Sequence, residues 1–116
     1  SHHVRRGVLR LDGIASLHAD AETGELVTKP LRFTGKRLEL NYATSAAGTV
    51  QVEIQDEAGK PIPGFTLKDA PELFGDKIDA PFAWKKGLDV SSLAGKTVRL
   101  RFVVRDADVY AYRFAE

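Results

Sequence analysis

Apolar and polar positions alternate with a period of two over three stretches of the chain, and that period sends successive side chains to opposite faces of a sheet. Between Arg37 and Tyr42, the residues Leu38, Leu40 and Tyr42 take one face, and Arg37, Glu39 and Asn41 take the other. Between Val50 and Gln55, Val50, Val52 and Ile54 alternate with Gln51, Glu53 and Gln55. From Thr97 to Val104, Val98, Leu100, Phe102 and Val104 alternate with Thr97, Arg99, Arg101 and Val103. A helical period would carry these polar residues into the core, so each stretch predicts a half-buried strand. Their apolar phase, together with Leu93, is the predicted core. Glu39, Glu53 and Arg99 belong to the outer face.

Shorter stretches extend the same reading. Val8 to Leu11 alternates and then meets Asp12-Gly13, a turn or bulge signal, beyond which Ile14 to Leu17 continues in a bent course. Glu25 to Phe33 has strand character, but Pro30 removes a ladder donor and predicts an edge or a break. Val109 to Phe114 reads as a last strand with Tyr110, Tyr112 and Phe114 on one face. Asp56 to Lys60 is a hairpin turn with Gly59 at a position that wants positive φ. Thr44 to Gly48 reads as a small polar loop. From Lys60 to Gly87 the alternation fails. Pro61, Pro63, Pro71 and Pro81 forbid a long helix there, while Phe65, Phe74, Phe82 and Trp84 offer apolar anchors. This is expected to be a long crossover packed on the sheet, with one short helical turn at Pro71 to Phe74.

Seven or eight short strands, one crossover and almost no helix predict an all-β fold, a two-sheet antiparallel β-sandwich of jelly-roll topology. The 116 residues, 43% of them hydrophobic, suit one folded domain. The opening Ser1-His2-His3 has the look of a purification-tag remnant, which leaves residues 4–116 as a single module. With 17 basic and 16 acidic residues the formal charge is +1, which gives no clustered excess for nucleic acid or an anionic membrane. No apolar run approaches the roughly 20 residues that span a bilayer. The chain has no cysteine, which excludes thiol catalysis, disulfides and thiolate metal ligation.

The run from Gly87 to Phe102, GLDVSSLAGKTVRLRF, resembles the segment entering a late strand in sandwich modules of bacterial glycosidases. In it Asp89 caps a short turn, Leu93 plugs the core and Gly95 reverses the chain. Leu11-Asp12-Gly13, Thr28 to Leu31, Gly35, Leu38 to Asn41, Thr44 to Ala46, Pro61 to Phe65 and Asp106 to Tyr110 extend the likeness over nearly the whole chain. Together they resemble the C-terminal accessory sandwich of β-propeller glycosidases of the fructosidase and arabinanase type. The resemblance implies an exported parent protein, extracellular or periplasmic, that processes polysaccharide and carries a catalytic domain as partner to this module. It transfers no catalytic residue.

Candidate chemistry is sparse. Outside the first three residues His18 is the one histidine, and no G-x-S-x-G elbow occurs, so no nucleophilic triad is expected. Asp106 and Asp108, two apart on an extended segment, share a side. They are either half of a Ca²⁺ site or a carboxylate-favoured turn. The Asp76 and Asp79 pair has the same two readings. Trp84, followed by Lys85 and Lys86, is either a platform for stacking on a sugar ring or a core plug. Tyr110 and Tyr112 carry the same pair of readings. Asn41, Arg99 and Arg101 on the polar faces could read hydroxyl groups or simply be solvated. The expected function is therefore a non-catalytic accessory module of the carbohydrate-binding type, with a polysaccharide or oligosaccharide as ligand. The alternative is a structural domain that buttresses a catalytic partner.

Overall fold

A computed structural model describes the backbone of His2–Val4 and Gly7–Leu11, and residues 17–20 and 22–116 with their side chains. Asp12-Gly13 and the start of the bent course after it lie outside the described residues. Among the described residues seven strands follow in order: β1 (His2–Val4), β2 (Gly7–Leu11), β3 (Leu17–Ala19), β4 (Gly24–Thr28), β5 (Arg37–Asp56), β6 (Asp76–Pro81) and β7 (Val98–Ala115). Short 3-10 turns at Leu67–Asp69 and Ser91–Leu93 are the helical content among the described residues, and none is long enough to cross a membrane.

The all-β class agrees with the alternation, but the described strands join in one hydrogen-bonded sheet rather than dividing into the two sheets of a jelly roll. The long antiparallel β5–β7 pair is its spine. The other edge of β7 takes β4 and then β3, both antiparallel. β2 adds to β4 and β1 to β3 in parallel. The free edge of β5 takes β6. What the sequence presents as two strands and a loop, 37–42 and 50–55, is the single strand β5. The stretches 97–104 and 109–114 likewise merge in β7.

Strands of this length cannot be straight. At about 3.3 Å per residue, β7 would reach about 60 Å, whereas the longest dimension of the molecule is 34 Å. Phe102 and Tyr112 would stand about 33 Å apart on a flat strand, yet their ring centroids are 5.6 Å apart. The β5–β7 pair therefore folds over on itself and encloses its own core, as strands do when they turn a corner through a bulge. The corner lies where pairing jumps from Thr44↔Ala107 to Thr49↔Arg105, so that residues 45–48 face Asp106 alone. Asp106 has φ 46°, a left-handed conformation that Asp tolerates better than most residues. A Cβ on Gly48 would collide with the Asp106 carbonyl oxygen and lie 2.8 Å from that of Arg105. Only glycine allows the two strands to cross there.

The predicted core is buried throughout: Leu38, Leu40, Val50, Val52, Ile54, Leu93, Val98, Leu100 and Phe102 form one cluster with Phe65, Phe82 and Trp84. The crossover packs as expected, apart from Phe74, which is 70% exposed. Its helical turn is at Leu67–Asp69 rather than Pro71–Phe74, and it also supplies β6. Pro30 falls just past the end of β4, as a ladder breaker should. Gly59, at φ 90°, closes the turn by donating to the Asp56 carbonyl at 3.0 Å. The Asp89 carboxylate accepts the Ser91 N–H at 2.8 Å, which is the cap read from the sequence.

Glu39 and Glu53 lie on the outer face as the register requires, but they are not solvated: they are 5% and 3% exposed. Arg37 and Arg113 both donate to the Glu39 carboxylate, each at 2.8 Å, and hold it below the usual carboxylate range. Glu53 accepts from Arg101, Gln55 and the Leu67 N–H. Buried carboxylates paired in this way are tolerated where a bare one would not be.

Candidate functional site

Trp84 is no stacking platform. It is 2% exposed, edge-on to Phe65 at 5.4 Å and tilted against Phe82 at 4.6 Å. Its Nε1 donates to the Val52 carbonyl at 3.0 Å. The Lys86 ammonium lies 4.0 Å over the Phe65 ring, which caps the aromatic cluster with a cation.

Tyr110 and Tyr112 do not share a face. Pairing steps from Asn41↔Ala111 to Tyr42↔Val109, which leaves Tyr110 as the extra residue of a bulge. Tyr110 is 49% exposed, whereas Tyr112 turns inward between Phe102 and Phe114, and burial pushes its hydroxyl pKa up. Asn41 sits between this bulge and a second one on β6. Its Oδ1 accepts the N–H of Asp79 at 2.5 Å, where φ is 51°. It is a backbone brace, which takes its side-chain oxygen away from a ligand.

Asp106 and Asp108 do line one shallow depression, of about 220 Å³, with His18, Thr44 and Ser45. Each carboxylate is already engaged. Asp106 Oδ2 accepts the Ser45 hydroxyl at 2.5 Å, and Asp108 Oδ1 lies 2.6 Å from His18 Nδ1. His18 Nε2 is 3.1 Å from Asp20 Oδ1. The hydrogen bond to Asp108, followed by the charges of both carboxylates, raises the His18 pKa above its ordinary 6.5 despite the opposing effect of burial. Ca²⁺ takes six to eight oxygen ligands. Among the described residues no group of three or more acidic or histidine side chains could hold a metal ion. The donors present do not fit the calcium reading. Asp79 likewise faces Arg113, at 3.7 Å.

The outer face offers one better-built depression, a groove of about 440 Å³ lined by Glu25 and Val27 of β4, Gln55 of β5, Arg99 and Arg101 of β7, and Ala58-Gly59 of the hairpin turn. Register puts these groups together: Val27 and Glu53 flank Arg101, and Gln55 stands opposite Arg99. Arg101 grips Glu25 with a fork, Nε to Oε2 and Nη2 to Oε1, both 2.9 Å, while its Nη1 reaches Glu53 at 3.2 Å. The fork holds the Glu25 carboxyl below the usual carboxylate range. Gln55 Nε2 donates to Glu53 at 3.0 Å, and its Oε1 has no partner among the described residues. Arg99 is anchored by backbone carbonyls, Nε on Glu57 at 2.9 Å and Nη1 on Thr28 at 3.2 Å.

Of the candidate site residues that the sequence offers, this groove gathers Arg99 and Arg101, while Asn41, Trp84, Tyr110, Tyr112 and the Asp76/Asp79 and Asp106/Asp108 pairs lie elsewhere. Glu25, Gln55 and the Ala58-Gly59 turn were not singled out. The alternation puts Gln55 on an outward face, but only the pairing of β4 with β7 brings Glu25 to Arg101. Comparison of the chain with protein-family models, with curated proteins and with solved structures gives no match.

Proposed function

We propose that this chain is a non-catalytic accessory module of an exported, glycosidase-like protein, and that it contacts a glycan through the outer-face groove. The observation that carries the reading is the groove itself. Planar carboxylate, amide and guanidinium groups stand on three hydrogen-bonded strands, with Val27 as a small apolar floor, and Gln55 Oε1 remains open as an acceptor. Fixed polar groups of this kind read sugar hydroxyls, and the volume falls in the range of small-ligand sites. In this reading the folded-over halves of β5 and β7 stand in for the two layers of the accessory sandwiches that the sequence resembles. With Trp84 in the core and Tyr112 packed against it, affinity comes from hydrogen bonds rather than stacking. It falls in the millimolar to high micromolar range, about −4 to −6 kcal/mol.

The test is a titration of ¹⁵N-labelled protein with neutral and acidic oligosaccharides. Amide shifts should concentrate at Ala58, Gly59 and the Gln55 side chain, and Gln55→Ala should abolish them while the remaining amide spectrum stays that of the folded protein. Absence of any glycan-dependent shift would remove the reading. The buttress reading would then stand, favoured by the apolar exposure of Phe74 (70%) and Ile78 (82%) along the approach to β6 and within it. The β6 edge itself is poorly suited to adding a strand, because Asp76, Lys77, the left-handed Asp79 and Pro81 guard it.

A further inference from the structure

Arg99 differs from its outer-face neighbours in what holds it. Arg101 is occupied by Glu25 and Glu53, and Arg37 and Arg113 by Glu39. Arg99 instead donates to two backbone carbonyls, and among the described residues it has no carboxylate partner. A guanidinium has five N–H donors in a fixed plane. Two are used here, so three remain, including both on Nη2. Carbonyl oxygens carry only partial charge, so these bonds orient the cation without neutralising it. The hairpin turn and the end of β4 thus hold a charged, planar donor in place at one end of the groove. At the other end the balance is reversed, with two carboxylates on the single guanidinium of Arg101. The groove is polarised along its length, and Gln55, the cross-strand neighbour of Arg99, places an open amide acceptor beside the positive end.

We propose that the groove selects acidic glycans: a uronic acid residue sets its carboxylate on the free N–H groups of Arg99, while Gln55 Oε1 accepts from an adjacent sugar hydroxyl. The planar fork suits a carboxylate better than a hydroxyl, because two parallel charge-assisted bonds form at once. This inference rests on the groove being the glycan site, and it adds the charge of the sugar and the residue that reads it.

The experiment compares oligogalacturonides and oligoglucuronides with their methyl esters, which differ only in the carboxylate, by calorimetry and by ¹⁵N shifts at Gly59 and Gln55. The acid should bind about tenfold tighter than its ester, since a hydrogen bond to a charged group is worth more than a neutral one. The difference should shrink as salt is raised. Arg99→Gln should abolish the preference, so that acid and ester bind with the same affinity. Should that variant melt early, the comparison of acid with ester on the unaltered protein decides alone. Equal binding of acid and ester, with shifts still at Gly59, overturns the acidic preference and leaves the glycan reading standing. Binding of neither overturns both.

Discussion

The indole of Trp84 does a job that belongs elsewhere to a neighbouring strand. Along the free edge of β5, Val50 pairs with Leu73 and Ile54 with Phe65 and Ile62, and between them the Val52 carbonyl is met by Trp84 Nε1. A buried carbonyl without that donor would lose its hydrogen bond and have no water in exchange. This explains why tryptophan, rather than another phenylalanine, fills the gap beside Phe65 and Phe82. Trp84→Phe should keep most of the apolar packing and lose the donor, at a cost of about 1–3 kcal/mol. Trp84→Ala should also open a cavity and cost about 3–5 kcal/mol. Urea unfolding of the two variants measures both. Equal losses would mean that the hydrogen bond is irrelevant and packing volume alone matters.

At the scale of the element, β7 shows what alternation reveals and what it conceals. Its inward set runs Val98, Leu100, Phe102, Val104, then Ala107 and Val109, then Tyr112 and Phe114. The phase changes twice, at Asp106 and at Tyr110, and each change is a bulge. Within each unbroken segment the sequence names the buried face correctly, which is why the core from Leu38 to Phe102 was legible. Across a bulge a period of two projects the wrong face, so it groups Tyr110 with Tyr112 although Tyr110 is the extra residue. A bulge of this kind leaves little trace in residue type beyond an Asp that tolerates positive φ or a Gly that permits close approach. Gln55 and Glu25 remained unremarkable for a different reason: their meaning comes from strands paired across the sheet, and strand order is not written in local periodicity. The corner predicts its own weak point. Gly48→Ala drives a methyl group against the carbonyls of Asp106 and Arg105, which are backbone and cannot rotate away. The expected loss is about 1–3 kcal/mol, with faster amide exchange at Ser45 and Asp106 while the 50–56 half of β5 keeps its protection. Unaltered stability would mean that the two strands do not cross as closely as the fold requires.

For the whole molecule, ionisable groups fasten the sheet at its seams, and their signs set the pH range in which it is most stable. Glu25 ties β4 to β7 through Arg101, and Glu39 ties β5 to β7 through Arg113. Both carboxyls are held below their ordinary 4.5 in the folded state. The unfolded chain therefore takes up protons first as pH falls, and the stability these pairs contribute is present above 4.5 and lost progressively below it. His18 ties β3 to β7 through Asp108 and has the opposite sign. Its folded pKa is raised above 6.5, so its contribution is complete below 6.5 and lost as pH rises through the folded value. The side chains of His18 and Asp108 are 41% and 37% exposed, so solvent screening keeps this contribution to about 0.2–1 kcal/mol. The melting temperature should accordingly peak between pH 4.5 and 6.5, fall clearly on the acid side and slope gently on the alkaline side. His18→Gln should flatten the alkaline slope and leave the acid limb in place, because the Glu25 and Glu39 pairs do not involve β3. A melting profile whose alkaline slope survives that substitution would show that the β3–β7 seam is not held by the imidazolium.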